Sequence, residues 1–312
     1  MQVRETWDIL KQTATEWSED KAPQLGASLA FYSILSLAPL LVIALAIAGA
    51  IFGEEAARGE IVAQFQGLVG KEGAEAAEEM ITHAKRPEAG IIATVLGTIT
   101  LLFGASGVFG QLQDALNTVW DVKPKPGRGL WGYLRARFLS FSMVLGTGFL
   151  LLVSLVLSAT LAGIGKTISG MLPEMQALWM VINFVVSFAV IAGLFALIFK
   201  YVPDVRIAWK DVVVGAILTA LLFTIGKFAL GLYLGRQGLG SAYGAAGSLV
   251  VLVVWVYYSA QILLFGAELT QVYARRYGSQ IQPDENAEWA DGKTETTEPA
   301  SHRSAVTAAR GR

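Results

Sequence analysis

The chain has 312 residues, of which 54% are hydrophobic and 16% charged, and its formal net charge is −1. Soluble domains carry about 25% charged residues, so this composition excludes an ordinary soluble protein. The near-neutral charge excludes a global basic surface for nucleic acid, and the absence of cysteine excludes disulfides and thiolate chemistry. The mean hydropathy of +0.52 indicates a membrane protein.

The first 24 residues are polar and predict a cytoplasmic amphipathic segment. Apolar side chains recur there at helical spacing, at Val3, Trp7, Leu10, Ala14 and Trp17. A helix lying on the membrane surface accounts for this face. An ordinary helix packed on another element accounts for it equally well.

Six apolar stretches are long enough to cross a membrane, which takes about 20 residues. They lie at about 25–52, 90–120, 138–164, 178–202, 212–234 and 243–272. Their continuity favours helices, which satisfy their own backbone hydrogen bonds in lipid, over barrel strands. We therefore expect an all-α polytopic membrane protein with a six-helix transmembrane domain over residues 25–277. No internal repeat is visible.

Charge in the connections predicts the orientation of these helices. Lys and Arg concentrate on the side that holds both termini, which the positive-inside rule assigns to the cytoplasm. Residues 53–89 then form an extracytoplasmic connection, and its segment GAEAAEEMITHAK reads as an amphipathic helix. The tail over residues 278–312 is rich in Pro, Glu, Thr and Ser, and we expect it to be disordered in the cytoplasm.

Several long motifs carry a family resemblance. They are LAFYSILSLAPLL, LLFGASGVFGQLQDALNTVWDV, KYVPDVRIAWKDVVVGAILTALLFTIGKFALGLYLG and YGAAGSLVVLVVWVYYSAQILLFGAELTQVYARR. Over roughly residues 25–277 the chain resembles the YihY/BrkB family, and the resemblance implies a six-helix bacterial inner-membrane protein. Members were once labelled ribonuclease BN, and others have been linked to virulence and to envelope lipid traffic.

The residues themselves argue against a ribonuclease. Metal-dependent hydrolysis needs clustered His and carboxylate ligands, but His83 falls in the connection at 53–89 and His302 in the tail. We therefore expect no enzyme, no cofactor, no metal and no nucleic-acid partner, and a tRNA-processing ribonuclease is the least favoured function. The basic connection DVKPKPGRGLWGYLRARF is typical of a membrane-surface segment.

The end of the second predicted span turns polar on one helical face. Gln111, Asp114 and Thr118 continue a line of small residues that includes Gly107. This face lines a cavity open to the cytoplasm, or it marks a helix that is leaving the hydrocarbon. The small residues predict close approach of another helix.

The sixth span has a similar face, on which Tyr257, Gln261 and Glu268 follow helical spacing. If the second and sixth helices meet, we expect Asp114, Gln111, Gln261 and Glu268 to form one cluster. Such a cluster would bind a cation, a proton or a polar headgroup. The alternative is a capping role at the helix ends, with Arg275 and Arg276 as partners.

Lys227 is an isolated charge inside the fifth span. A charge at mid-bilayer costs about 2.5–3.5 kcal/mol, so such residues face the bundle interior or snorkel to the surface. Glu268 lies too far along the membrane normal to pair with it directly. Lys227 therefore snorkels outward or faces a wet interior where it meets an anion.

The first span carries Tyr32, Ser36 and Pro39 on one face. Pro39 predicts a kink, which forms part of a pathway or is purely structural. Together these features favour a carrier that moves a lipid or another amphipathic anion through a polar cavity, with membrane lipids as partners and a homo-oligomer left open. The alternative is a non-transporting scaffold for envelope assembly.

Overall fold

The computed structural model of the chain describes residues 3–69, 71–84, 107–126, 176–237, 247–278 and 281–290. The helices are α1 (Val3–Glu19), α2 (Ala22–Phe52), α3 (Glu54–Val69), α4 (Lys71–Ala84), α5 (107–119), α6 (Gln176–Tyr201), α7 (Trp209–Gln237) and α8 (Gly247–Tyr277). The short strands are β1 (Val122–Pro124), β2 (Val205–Arg206), β3 (Gln282–Pro283) and β4 (Ala287–Trp289).

Three of the described helices contain runs that are long and apolar enough to cross a membrane. These runs are Phe184–Tyr201 in α6, Trp209–Ala229 in α7 and Leu249–Tyr277 in α8. The mainly helical architecture is therefore confirmed for the described residues. The third predicted span, 138–164, lies outside the described residues, as does much of the second, so the count of six stays a prediction.

The breaks between the first helices follow from local backbone chemistry. Lys21 adopts a left-handed conformation with φ 54° and turns the chain from α1 into α2. Pro23 fits the first turn of α2, where no backbone N–H is needed. Gly53, with φ 84°, ends α2, and its N–H donates to the carbonyl of Gly49.

α8 is the centre of the described fold, since α1, α2, α4 and α7 all pack against it, and α6 packs on α7. The main core lies where α2, α5, α6, α7 and α8 meet. Its largest buried members include Leu116, Val119, Trp120, Phe199, Val212 and Leu264. This core lies toward the end of α8, on the same side of the bundle as α1 and the α6–α7 connection.

The connection between the first two predicted spans forms two helices, α3 and α4. They pack on each other and on α2 through a separate small core, and Met80 of α4 lies beside Val251 and Leu252 near the start of α8. An exposed pair joins Arg58 to Glu78 at 3.0 Å. The helical prediction for this connection is confirmed, and α3 and α4 lie at the opposite end of α8 from α1.

α1 packs on α8 through a different face from the predicted one. Ile9 is buried against Leu269 and Val272, while Trp7 is 67% exposed. The helix therefore contacts α8 on one side and leaves Trp7 free for a membrane surface. Both alternatives for this segment agree with that arrangement.

Residues 281–290, here called the C-terminal clasp, are ordered. β4 pairs antiparallel with β1, and β3 pairs antiparallel with β2. Arg206 binds Asp284 at 3.0 Å and Glu285 at 2.9 Å, and these hydrogen bonds raise the pKa of Arg206 above its ordinary value. The prediction of disorder from residue 278 is wrong for these residues, because strands in two loops supply their backbone partners. Residues 291–312 lie outside the described part.

Candidate functional site

Lys227 lies on the inner side of α7. The exposed face of this helix carries Ile217, Leu221, Ile225 and Phe228, the last of which is 71% exposed. Lys227 is half-buried and follows Phe223 by four residues, so the two share a face. The ring of Phe223 contacts Phe195 of α6 and Trp255 of α8, with ring centroids 5.7 and 6.2 Å apart.

It follows that Lys227 faces the junction of α6 and α8 rather than the exposed surface of α7. Within the described residues its ammonium group makes no hydrogen bond and no ion pair. Of the two alternatives drawn from the sequence, this position favours the interior one. A cation in such a position attracts an anion.

Glu268 has no exposed surface. Neither of its carboxylate oxygens accepts a hydrogen bond from a donor in the described part of the chain. Its charged neighbours are the acidic side chains of Asp20, Glu16 and Asp121. A buried carboxylate among other carboxylates, with no donor, is an expensive arrangement.

The predicted cluster of four polar residues does not form in the way we expected. Glu268 meets α1 and the turn after α5, whereas Asp114 is exposed and lies near Asp204. Gln261 lies about two turns before Glu268 on α8, and its Nε2 donates to the carbonyl of Ala22 at 3.5 Å. Gln111 is half-buried on α5.

The amides at the end of α5 bind a loop. Asn117 is 3% exposed; its Nδ2 donates to the Asp204 carboxylate at 3.1 Å, and its Oδ1 accepts from the Asp204 N–H at 2.8 Å. Gln113 also donates to Asp204, at 3.1 Å. The sequence predicted a functional face on Gln111 and Asp114. The face that makes specific contacts is Gln113 and Asn117, and their four-residue spacing was the available signal.

Removing this contact gives a direct stability test. Asn117→Ala is expected to lower the free energy of unfolding by about 2 kcal/mol, because it removes two hydrogen bonds from part-buried groups of Asp204. Thr118→Ala is the matched control: Thr118 is exposed, and among the described residues its hydroxyl donates only to the carbonyl of Asp114 in its own helix. Unfolding in SDS titrations would measure both variants, and equal losses would contradict the role given to Asn117.

Tyr32 of α2 makes a packing contact with α5, and Ser36 makes a hydrogen bond within its own helix. The Tyr32 ring packs over Gly107, so that a methyl group at Gly107 would lie 3.3 Å from its Cδ1. This contact agrees with the close helix approach expected from the small residues. Ser36 is buried, and its hydroxyl donates to the carbonyl of Ser33 at 3.1 Å. Tyr257 is half-buried on α8.

α7 and α8 pack closely along a seam in which a glycine of each helix lies against a threonine of the other. This seam was not predicted from the sequence. The pattern Gly-Ala-x-Leu-Thr occurs at 215–219 and at 266–270. A methyl group at Gly215 would lie 2.7 Å from Cβ of Thr270, and one at Gly266 would lie 2.8 Å from Cβ of Thr219. Each threonine therefore occupies the space beside the other helix's glycine, and each hydroxyl donates to the carbonyl of the glycine four residues earlier.

A metal centre is not indicated by the described residues, which contain no group of three or more His, Asp or Glu side chains arranged to hold an ion. His83 belongs to α4, and His302 lies outside the described residues.

Comparison with known proteins assigns the family. The profile of Virulence factor BrkB matches residues 13–290. A UPF0761 membrane protein of Verminephrobacter eiseniae (strain EF01-2) is 30% identical over 270 residues, which cover 85% of this chain and 62% of that protein. A second, from Ralstonia nicotianae (strain ATCC BAA-1114 / GMI1000), is 27% identical over 276 residues, covering 86% of this chain and 60% of that protein.

The chain thus spans about six tenths of the length of these curated relatives. No solved structure matches it. The family match covers most of the chain, and it agrees with the membrane-crossing helices described above and with the resemblance carried by the sequence motifs. The chain is therefore an integral membrane protein of the BrkB family.

Proposed function

We propose that the protein is a carrier that moves a lipid or another amphipathic anion across a bacterial inner membrane, and that it is not an enzyme. Lys227 is the residue that attracts the anionic group. The observation that carries the proposal is the position of Lys227 on the inner face of α7, without an acidic partner among the described residues.

The arrangement in the membrane is part of the proposal. Six helices cross the bilayer, both termini lie in the cytoplasm, and α3 and α4 lie outside. α2 supports this topology because its 31 residues carry no charged side chain. The packing of α1 near the end of α8, and of α4 near its start, agrees with opposite sides for these two helices.

The chemistry of the substrate follows from the surroundings of Lys227. Lys227 shares a face of α7 with Phe223, whose ring contacts Phe195 and Trp255, so its ammonium group would offer a charge-assisted hydrogen bond close to apolar surface. A ligand that matches both must carry an anionic group and an apolar part. Anionic phospholipids and fatty-acid-like molecules have this character, and both are present in a membrane.

Lipid movement in reconstituted vesicles tests the proposal. Vesicles of phosphatidylcholine and phosphatidylglycerol would carry a trace of fluorescent phosphatidylglycerol, and an impermeant reductant added outside would report its transfer between leaflets. Lys227→Met is expected to slow transfer by about tenfold or more, because a charge-assisted hydrogen bond contributes about 1.5–3 kcal/mol. Lys227→Arg is expected to retain most of the rate.

The matched control is Lys210→Met, since Lys210 is an exposed lysine in the first turn of the same helix. Its rate should equal that of the wild type. Equal transfer in wild-type and protein-free vesicles would contradict the carrier and favour the non-transporting scaffold. Transfer that is unchanged by Lys227→Met would remove Lys227 from the mechanism.

A further inference from the structure

Two basic side chains from different loops converge on one residue of the C-terminal clasp. Arg206, in the α6–α7 connection, donates through Nη2 to Oε1 of Glu285 at 2.9 Å. Lys125, just after β1, donates through Nζ to the backbone carbonyl of the same residue at 2.8 Å. Arg206 also donates through Nε to Oδ1 of Asp284 at 3.0 Å. The fold thus gathers two cations that are distant in the chain around one pair of clasp carboxylates.

These contacts are open to solvent, so another anion can compete for them. The Arg206 side chain is 58% exposed and that of Glu285 is 82% exposed, and Lys125 is exposed as well. Exposed ion pairs contribute little to stability and exchange partners readily. A guanidinium group presents a planar fork of N–H donors that fits a phosphate as well as a carboxylate. Asp284 and Glu285 therefore occupy a place that a phosphate group also fits.

Aromatic residues place this group of charges at the level of lipid headgroups. The apolar run of α6 ends at Tyr201 and that of α7 begins at Trp209, so Arg206 lies in the short connection between two membrane-crossing runs. Both aromatic side chains are exposed, and their rings contact each other edge to face with centroids 6.0 Å apart. Exposed Tyr and Trp at helix ends mark the boundary between hydrocarbon and headgroups. The anion nearest to Arg206 in a membrane is therefore a lipid phosphate.

We propose that Arg206 and Lys125 form a binding site for the headgroup phosphate of an anionic phospholipid, and that Asp284 and Glu285 of the clasp compete with the lipid for it. The two cations supply charge-assisted hydrogen bonds to the phosphate, and Tyr201 and Trp209 lie against the adjoining part of the lipid. The site is independent of the carrier function proposed above, because binding is measured without transport.

Lipid binding to the full chain tests the site. Native mass spectrometry from detergent micelles would count bound phosphatidylglycerol, with zwitterionic phosphatidylcholine as the comparison. Arg206→Gln is expected to weaken phosphatidylglycerol binding by about fivefold, the effect of one basic residue at an anionic membrane surface. Asp284→Asn/Glu285→Gln is expected to tighten it by about threefold, because the competing carboxylates are removed. Arg276→Gln changes an exposed arginine of α8 and should leave binding as in the wild type.

The opposite signs separate a lipid site from ion pairs that only hold the loops together. If the contacts were structural alone, neither variant would bind the lipid more tightly. Equal binding in the wild type and in Arg206→Gln would overturn the proposal, and so would weaker binding in Asp284→Asn/Glu285→Gln. Displacement of phosphatidylglycerol by millimolar inorganic phosphate at constant ionic strength would overturn the lipid assignment in favour of free phosphate.

Hydrogen exchange in the wild-type protein tests the competition without any variant. The clasp amides include the N–H of Asp284, which donates to the Asp204 carbonyl at 2.9 Å. Once the lipid displaces the two carboxylates from Arg206, β3 keeps only its short pairing with β2, and exchange over residues 281–290 rises. We expect severalfold faster exchange in nanodiscs that contain phosphatidylglycerol than in nanodiscs of phosphatidylcholine alone. Equal exchange in the two preparations would overturn the proposal.

Discussion

Arg275→Met is expected to lower the free energy of unfolding by about 3 kcal/mol, because a buried carboxylate loses its cationic partner. The Asp121 side chain is 5% exposed, and the Arg275 guanidinium contacts it directly. Methionine keeps much of the length of the arginine side chain and removes its charge. SDS titration in mixed micelles, followed by tryptophan fluorescence, would measure the loss.

The neighbouring arginine provides the control for this prediction. Arg276 is exposed and donates to the neutral Oε1 of Gln12, so Arg276→Met is expected to change stability by about 0.5 kcal/mol or less. The double variant Asp121→Asn/Arg275→Met should recover much of the loss, since asparagine tolerates the left-handed backbone at this position, where φ is 56°. A double variant as unstable as Arg275→Met would refute the charge argument.

Gly266→Leu is expected to cost about 3 kcal/mol or more, because the side chain must enter space held by Thr219 of α7. Two atoms of Thr219 lie 2.7 and 2.8 Å from the position of the new Cβ. The far atoms belong to a β-branched side chain with few rotamers, so the helices themselves must separate. Cooperative unfolding in SDS would report the loss.

Two further variants distinguish the seam from a general intolerance of leucine. Gly193→Leu on α6 meets open space, so it is expected to be neutral or to stabilise by up to about 1 kcal/mol. The exchange Gly266→Thr/Thr219→Gly keeps the total volume and should recover much of the stability lost in Gly266→Thr. Equal losses for Gly193→Leu and Gly266→Leu would argue against the seam.

The sequence was sufficient to predict the long helices. Long, mostly apolar runs define α2, α6, α7 and α8, because a membrane-crossing helix needs length and apolarity and little else. A helix in the α3–α4 connection was also predicted, from the amphipathic pattern of GAEAAEEMITHAK. Family membership was expected from the long motifs, and the match of the family profile to residues 13–290 shows it.

Contacts between distant segments were harder to predict. Asn117 and Asp204 lie 87 residues apart, and no local pattern states that they meet. Glu268 was identified as a candidate, but its neighbours come from α1 and from the turn after α5, so the predicted partner Asp114 was not the right one. On α5 the helical period indicated a polar face at Gln111 and Asp114, but it did not indicate that Gln113 and Asn117 contact Asp204, since periodicity does not say which neighbour a face will meet.

The C-terminal clasp was missed for a related reason. Its residues are polar and contain proline, which is the composition of a disordered tail. The strands form because two loops present unpaired backbone groups at the right register, with Val122 opposite Trp289 and Val205 opposite Pro283. Such pairing depends on the positions of α5, α6 and α7, and these positions cannot be predicted from the amino-acid composition of the tail.

The connectivity of the clasp also sets an order of assembly. Its strands are synthesised after every helix whose loops they join, because 281–290 follow α8 in the chain. During translation, β1 in the turn after α5 and β2 in the α6–α7 loop therefore lack their partner strands until the last span has left the ribosome. Completion of this face therefore requires α5, α6, α7 and α8 to be in place, and a nascent chain stalled before residue 281 would lack both strand pairs.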